Sequence, residues 1–359
     1  MINIHDPRFN RTFELPADPS QGRHTPFKIK YADYGYRNEA HPEEENVLLF
    51  FGPMFASRLV HIAKDELATK HKIRFINPDR PGIGGTDPAD PAARMALWRD
   101  AIPALLRHLD IAHVSLAAHS AGTIYALDLL LHRPSLLHPS RPYLALGAPW
   151  VLPVHTASMT SALVKHLPAG LIGNFDKVAS LVNSYVGPVI GASSVLAAKL
   201  TPASKDGEPV AAEVKAEEEV WPAVMKQIYA EGVQGVSAEA VLLMQKVHGA
   251  TGWSDWGDYD ALVPRLVGVL RVTAAMAVRG RVKVDVFYAE SDHMIGEGGS
   301  KGPVWFDGCW VGPRTAEVVE YGCRTVPGAD HDGLWGLRWG VMQEVFGKVG
   351  QLGDTEGGA

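Results

Sequence analysis

The chain holds 359 residues, with 34 basic against 40 acidic side chains, a formal charge of −6, and 46% apolar residues. A mildly acidic chain without a Lys/Arg block excludes the electrostatic footprint of a nucleic-acid binder. No charge-free apolar stretch of ~18 residues is available to cross a membrane, and the length allows one large domain or two ordinary ones.

The opening residues, MINIHDPRFNRTFELP, contain no apolar run of signal-peptide type. The two cysteines, Cys309 and Cys323, form no CxxC pair. Reduced thiols in a cytoplasmic protein are expected, without a disulfide framework or a cysteine zinc site. Glycine (36) and proline (25) make up about a sixth of the chain, against about an eighth expected, so the positions of tight turns matter.

Apolar, β-branched and aromatic runs predict strands over 12–15, 27–34, 47–51, 73–77, 114–118, 143–146, 282–288 and 318–326. Helical patterns over 57–69, 92–109, 121–132 and 334–349 follow several of them. Repeated strand–turn–helix units predict an α/β fold with a mostly parallel eight-stranded sheet flanked by helices. Between 154 and 280 the pattern changes to helices over 157–166, 175–185, 194–200, 220–231, 238–247 and 262–277, separated by Gly and Pro. Inside that stretch, the polar run 201–219 reads as a mobile, solvated loop. The layout expected is a core over 1–153 and 281–349, an inserted helical lid over 154–280, and a disordered tail over 350–359.

Five segments carry chemistry. Ala118-His119-Ser120-Ala121-Gly122 lies directly between a strand and a helix. Acyl transfer by serine needs an exposed hydroxyl and nearby N–H donors, and a tight turn flanked by small residues supplies both. Asp79-Arg80-Pro81-Gly82-Ile83-Gly84-Gly85-Thr86-Asp87 follows the fourth strand. Its glycines lead into another turn rather than opening a helix, so it reads as an irregular loop and not as a dinucleotide fingerprint. Phe51-Gly52-Pro53-Met54 ends the third strand, where a loop can lend an N–H to an oxyanion hole. Pro53 has no N–H, which leaves Met54 or Phe55 to pair with the N–H of Ala121. Near the C-terminus, Asp292 and His331 each fall just past a strand end, where sites gather in open α/β sheets. An imidazole there can take the serine proton while a buried carboxylate orients it. Glu290 is the alternative acid, and Asp330 and Asp332 flank His331. Asp292 is favoured because it lies farther past its strand.

These segments together resemble the α/β-hydrolase fold, over nearly the whole chain apart from the helical insert. The elbow at 118–122, the DRPGIGGTDP loop at 79–88 and the PGADHDG segment around His331 carry the likeness, and the wording from Ala289 to Trp310 is similar to uncharacterised fungal members. The resemblance implies Ser120 as nucleophile, His331 as general base and acid, and Asp292 as orienting acid, with the insert as lid between the sixth and seventh strands. Ala118 stands where the family's elbow usually has glycine. Epoxide hydrolases and haloalkane dehalogenases of this fold use Asp at the elbow, so Ser120 points instead to ester, lactone, thioester or activated C–C bond cleavage without a cofactor or metal. Phe55, His119, Trp150 and Trp221 are candidate substrate-binding residues for a small, largely apolar ester or lactone. A non-hydrolytic receptor or a lyase on the same fold is the competing class, and the sequence assigns no oligomeric state.

Overall fold

The computed structural model describes residues 2–156, 211–244, 256–277, 280–296 and 299–354. Its centre is built by four strands with no exposed face: β3 (Asn46–Phe51), β4 (Ile73–Pro78), β5 (Ser115–His119) and β6 (Tyr143–Gly147). Their near-continuous apolar runs are what a parallel sheet covered on both sides requires. β1 (Arg11–Leu15) and β2 (Phe27–Gly35) come first in the chain, and β7 (Val282–Ser291) and β8 (Val319–Asp330) come last. The sheet has eight strands in the order β1-β2-β4-β3-β5-β6-β7-β8. β2 runs antiparallel to both β1 and β4, and every pairing from β4 to β8 is parallel.

Helices flank this sheet. α1 (Asp65–Lys70) continues a 3-10 turn over Arg58–Lys64 and packs on β2 and β4. α2 (Arg94–His108) covers β1 and the start of β2, where Phe13 and Leu15 of β1 and Phe27, Ile29 and Tyr31 of β2 close on its Ala101 and Leu105. α3 (Gly122–His132), buried along nearly its whole length, leans on β3 and β5. Between β6 and β7 lie α4 (Ala212–Glu231), α5 (Gly235–Leu243) and α6 (Tyr259–Ala277). The chain then forms α7 (Pro303–Trp310), α8 (Pro313–Ala316) and, after β8, α9 (Val341–Asp354). No helix among the described residues is long and apolar enough to cross a membrane.

Several expectations change. The polar run 201–219 is helical from Ala212 onward, while 201–210 lies outside the described residues. Lys64 supplies the reason: its ammonium is nearly fully buried and ion-pairs with Glu217, whose other oxygen accepts the Leu337 N–H at 2.7 Å. A buried cation needs a partner, so one face of this acidic segment is drawn against the core. The tail expected to be disordered from 350 is helical to Asp354. The last helix begins at Val341, not at Leu334, because Gly340 with φ +71° and turns at 331–336 precede it. The expected helices over 157–166, 175–185 and 194–200 lie outside the described residues. Cys309 and Cys323 are free thiols.

Candidate active site

Ser120 occupies the single turn between β5 and α3, with φ +51°. A non-glycine residue pays about 1–2 kcal/mol for that left-handed conformation, and the surroundings hold it there. The Ser120 N–H donates to the Gly147 carbonyl at 3.0 Å, and the Ser120 carbonyl accepts from Thr123 at 3.0 Å and Trp150 at 3.2 Å. Small neighbours are required rather than tolerated. A Cβ on Gly122 would lie 2.1 Å from the Phe51 carbonyl oxygen, and one on Gly147 would enter the Trp335 indole at 2.3 Å. Ala118, fully buried at the end of β5, shows that its extra methyl fits here.

His331 follows β8 and faces this turn. Its Nε2 lies 2.9 Å from the Ser120 hydroxyl, and its Nδ1 lies 2.9 Å from both carboxylate oxygens of Asp292, just past β7. Sequence reasoning placed these three residues on three separate loops; the fold brings them into one hydrogen-bonded chain. Asp292 Oδ1 also accepts the N–H groups of Met294 and Ile295, each at 2.9 Å. Burial pushes the Asp292 carboxyl up, but the His331 hydrogen bond and charge and those two N–H donors outweigh it, leaving its pKa below the ordinary carboxylate value. The rival carboxylates are engaged elsewhere: Glu290 accepts the Gly328 N–H at 2.8 Å, and Asp330 accepts the Gly333 N–H at 2.6 Å.

The candidate substrate residues divide. The His119 ring is buried and turned under the site, with Nε2 2.8 Å from the His331 carbonyl oxygen. Burial first, and then the neighbouring His331 charge, lower its pKa to about 3. It stays neutral and therefore braces the His331 loop through a hydrogen bond. Trp150 is buried directly behind the serine turn, its carbonyl accepting the Tyr259 hydroxyl at 2.7 Å. Met54 and Phe55 are half-buried at the end of β3. Trp221 is 38% exposed on α4, and no hydrogen bond or ring contact ties it to Ser120, His331 or Asp292 among the described residues. Among those residues, the backbone N–H groups of Met54 and Ala121 have no hydrogen-bond acceptor. Two clusters of His and carboxylates, His41–Glu43–Glu44 and His155–Asp258–Asp260, come together, and neither includes a residue of the Ser120–His331–Asp292 chain.

A second layer escaped sequence reasoning. Arg80, in the loop after β4, is 2% exposed. Its guanidinium holds the carbonyls of Gly52 and Pro53, the second at 2.5 Å, and meets the carboxylate of Glu239 on α5 at 2.9 Å. Glu239 also faces Arg94 at 3.5 Å. Nearby, the fully buried Arg58 joins Asp79 at 2.6 Å and Glu231 at 2.7 Å. The signal available in the sequence was the Asp79-Arg80 pair inside an otherwise glycine-rich turn, but the carboxylate that meets Arg80, Glu239, lies 159 residues away.

No family model matches the chain, and neither does any curated protein. Solved structures do resemble it. An esterase from Exiguobacterium antarcticum aligns over 94% of this chain and 98% of its own, with TM-score 0.57 and 13% identity. An epoxide hydrolase from Vigna radiata aligns over 96% and 98%, with TM-score 0.55 and 17% identity. An enol-lactonase from Burkholderia xenovorans aligns over 94% and 99%, with TM-score 0.54 and 12% identity. With an eight-stranded, mostly parallel sheet, a serine turn at the end of its fifth strand and a helical segment between the sixth and seventh, the chain has the α/β-hydrolase fold.

Proposed function

We propose that the protein is a serine hydrolase that cleaves a carboxylic ester or lactone of a small, largely apolar substrate. The observation that carries the reading is the hydrogen-bonded chain from Asp292 through His331 to the Ser120 hydroxyl, with 2.9 Å at each link. In this reading His331 Nε2 takes the hydroxyl proton as Ser120 attacks the carbonyl carbon. The imidazolium that forms is stabilised by the ionised Asp292, which stays ionised because the His331 ring and the N–H groups of Met294 and Ile295 favour its anion. The negative charge on the former carbonyl oxygen is met by the N–H groups of Ala121, at the start of α3, and Met54. His331 then protonates the leaving alcohol, and in the second half it activates water against the acyl-enzyme.

Likeness to an esterase and an enol-lactonase supports this class of substrate. The epoxide hydrolase neighbour has the same fold, but here the residue on the strained turn is a serine, which calls for acyl chemistry. The test is a panel of p-nitrophenyl esters and lactones, assayed with the wild type and Ser120→Ala, alongside labelling by a fluorophosphonate. Hydrolysis that vanishes in Ser120→Ala, with one adduct at Ser120 in the wild type, is expected. No adduct and no hydrolysis would indicate a ligand receptor. Turnover without incorporation of oxygen from labelled water would indicate a lyase.

A further inference from the structure

The Pro53–Met54 peptide is held from behind. In a trans peptide the C=O of one residue and the N–H of the next point in opposite directions. Arg80 Nη2 donates to the Pro53 carbonyl at 2.5 Å, and the Ala56 N–H donates to the same oxygen at 3.0 Å. These two bonds therefore fix where the Met54 N–H points: away from Arg80. Arg80 Nη1 takes the preceding carbonyl, that of Gly52, so two successive peptides are gripped by one guanidinium. A planar fork with several donors suits that task, and a lysine does not replace it.

The grip depends on the inserted chain. Arg80 Nε meets Glu239, whose carboxylate is fully buried on α5. Arg94 Nη2 lies 3.5 Å from the same carboxylate, while its Nε donates to Tyr125 at 2.7 Å and its Nη2 to the Pro81 carbonyl at 2.6 Å. The backbone of the insert docks at the same place. Gly235 N–H donates to the Gly82 carbonyl at 2.8 Å, and Gly84 N–H donates to the Gly232 carbonyl at 3.0 Å. This approach leaves no room for a side chain, since a Cβ on Gly235 would lie 2.2 Å from the Pro81 carbonyl oxygen.

We propose that Arg80, aimed by Glu239, is a positioning residue that sets the oxyanion hole by fixing the Pro53–Met54 peptide, so that the hole is complete only while α5 of the insert is docked. This rests on the serine-hydrolase reading. Without the fork, the Pro53 carbonyl keeps only the Ala56 N–H and the Gly52 carbonyl loses its guanidinium donor, so the peptide can tilt and the Met54 N–H leaves the position where negative charge develops. Ground-state binding, which does not use that N–H, is untouched.

The test uses the full chain with p-nitrophenyl acetate, and two inhibitors of equal shape: a trifluoromethyl ketone, which forms an oxyanion on Ser120, and the corresponding methyl ketone, which binds without forming one. Arg80→Lys should lower kcat by roughly 10²-fold, with KM within about twofold. Affinity for the trifluoromethyl ketone should fall by the same factor while that for the methyl ketone holds. Glu239→Gln, which keeps an acceptor for Arg80 Nε, should lose about a tenth as much. It also carries the test if Arg80→Lys does not fold. A folded variant with unchanged kcat and unchanged trifluoromethyl ketone affinity overturns the proposal. So does a parallel loss of affinity for both ketones, which is what a merely structural ion pair would give. A wild type that takes no fluorophosphonate at Ser120 overturns the underlying reading and this one together.

Discussion

Replacing Gly122 by alanine adds one methyl group at the point where helix α3 touches strand β3. That methyl would sit 2.1 Å from the Phe51 carbonyl oxygen, 2.7 Å from its carbon and 2.8 Å from the Gly52 carbonyl oxygen. Non-bonded heavy atoms are comfortable at about 3.5 Å, so the helix start must retreat from β3 by about 1 Å. Ser120 and Ala121 move with the helix, whereas Met54 stays with the strand. Misplacing reacting groups by about 1 Å costs on the order of 10²-fold in rate. The overpacking itself costs about 1–3 kcal/mol, which lowers Tm by several degrees. Hydrolysis of p-nitrophenyl acetate gives kcat, fluorophosphonate titration gives the fraction of competent serine, and a thermal melt gives Tm. Full titration with a slow turnover is expected, because the hydroxyl and imidazole are both still present while the Met54 and Ala121 N–H groups, the oxyanion donors of the proposed mechanism, spread apart. A variant with the wild-type kcat and Tm would refute the reasoning, since it would mean that β3 yields this distance without cost.

The remaining expectations concern charge. Asp292→Asn should leave the fold intact and reduce kcat on the order of 10³–10⁴-fold, through loss of the anion that stabilises the His331 imidazolium; a loss below tenfold would shift the orienting role to another group. Glu217→Ala strands the buried Lys64 ammonium and should destabilise the protein by about 3 kcal/mol, read as a lowered urea midpoint, and an unchanged midpoint would show that Lys64 finds water instead. His61 and His119 are both buried and kept neutral, burial being the main cause for each. An unfolded chain takes up protons on both below pH about 6.5, and the folded chain does not until far lower pH, about 3 for His119. Stability is therefore full above about pH 6.5 and falls as pH drops, by up to about 1.4 kcal/mol per pH unit for each histidine. Urea midpoints at pH 7.5, 6 and 5 check this: His61→Phe should flatten the decline, and a flat wild-type profile would contradict it.

What could be read from the sequence was what local chemistry decides. The runs at 47–51, 73–77, 114–118 and 143–146 are apolar on both faces, and each became a buried parallel strand. Ser120, Asp292 and His331 stand out because each comes a few residues after the end of an expected strand. The helix Pro303–Trp310 was not among the expected elements; its proline sits at the first turn, where no N–H is needed. Strand β8 continues through Pro327-Gly328, which would end an interior strand; at a sheet edge the missing N–H is tolerated. The contacts of Arg80 with Glu239 and of Lys64 with Glu217 join residues more than 150 positions apart. No local pattern marks such pairs, because in sequence a buried Arg or Glu looks like a solvated one.

The backbone at position 120 also limits which reactive groups this scaffold can present. At φ +51° a side chain branched at Cβ is a steric outlier. Threonine carries the same hydroxyl as serine but brings a methyl against its own backbone. Serine and cysteine carry the nucleophilic atom on an unbranched Cβ, aspartate carries it on the carboxyl carbon beyond one, and all three pass. The turn is in this sense a filter on chemical diversification. A scaffold of this kind changes its reaction by exchanging members of that small set.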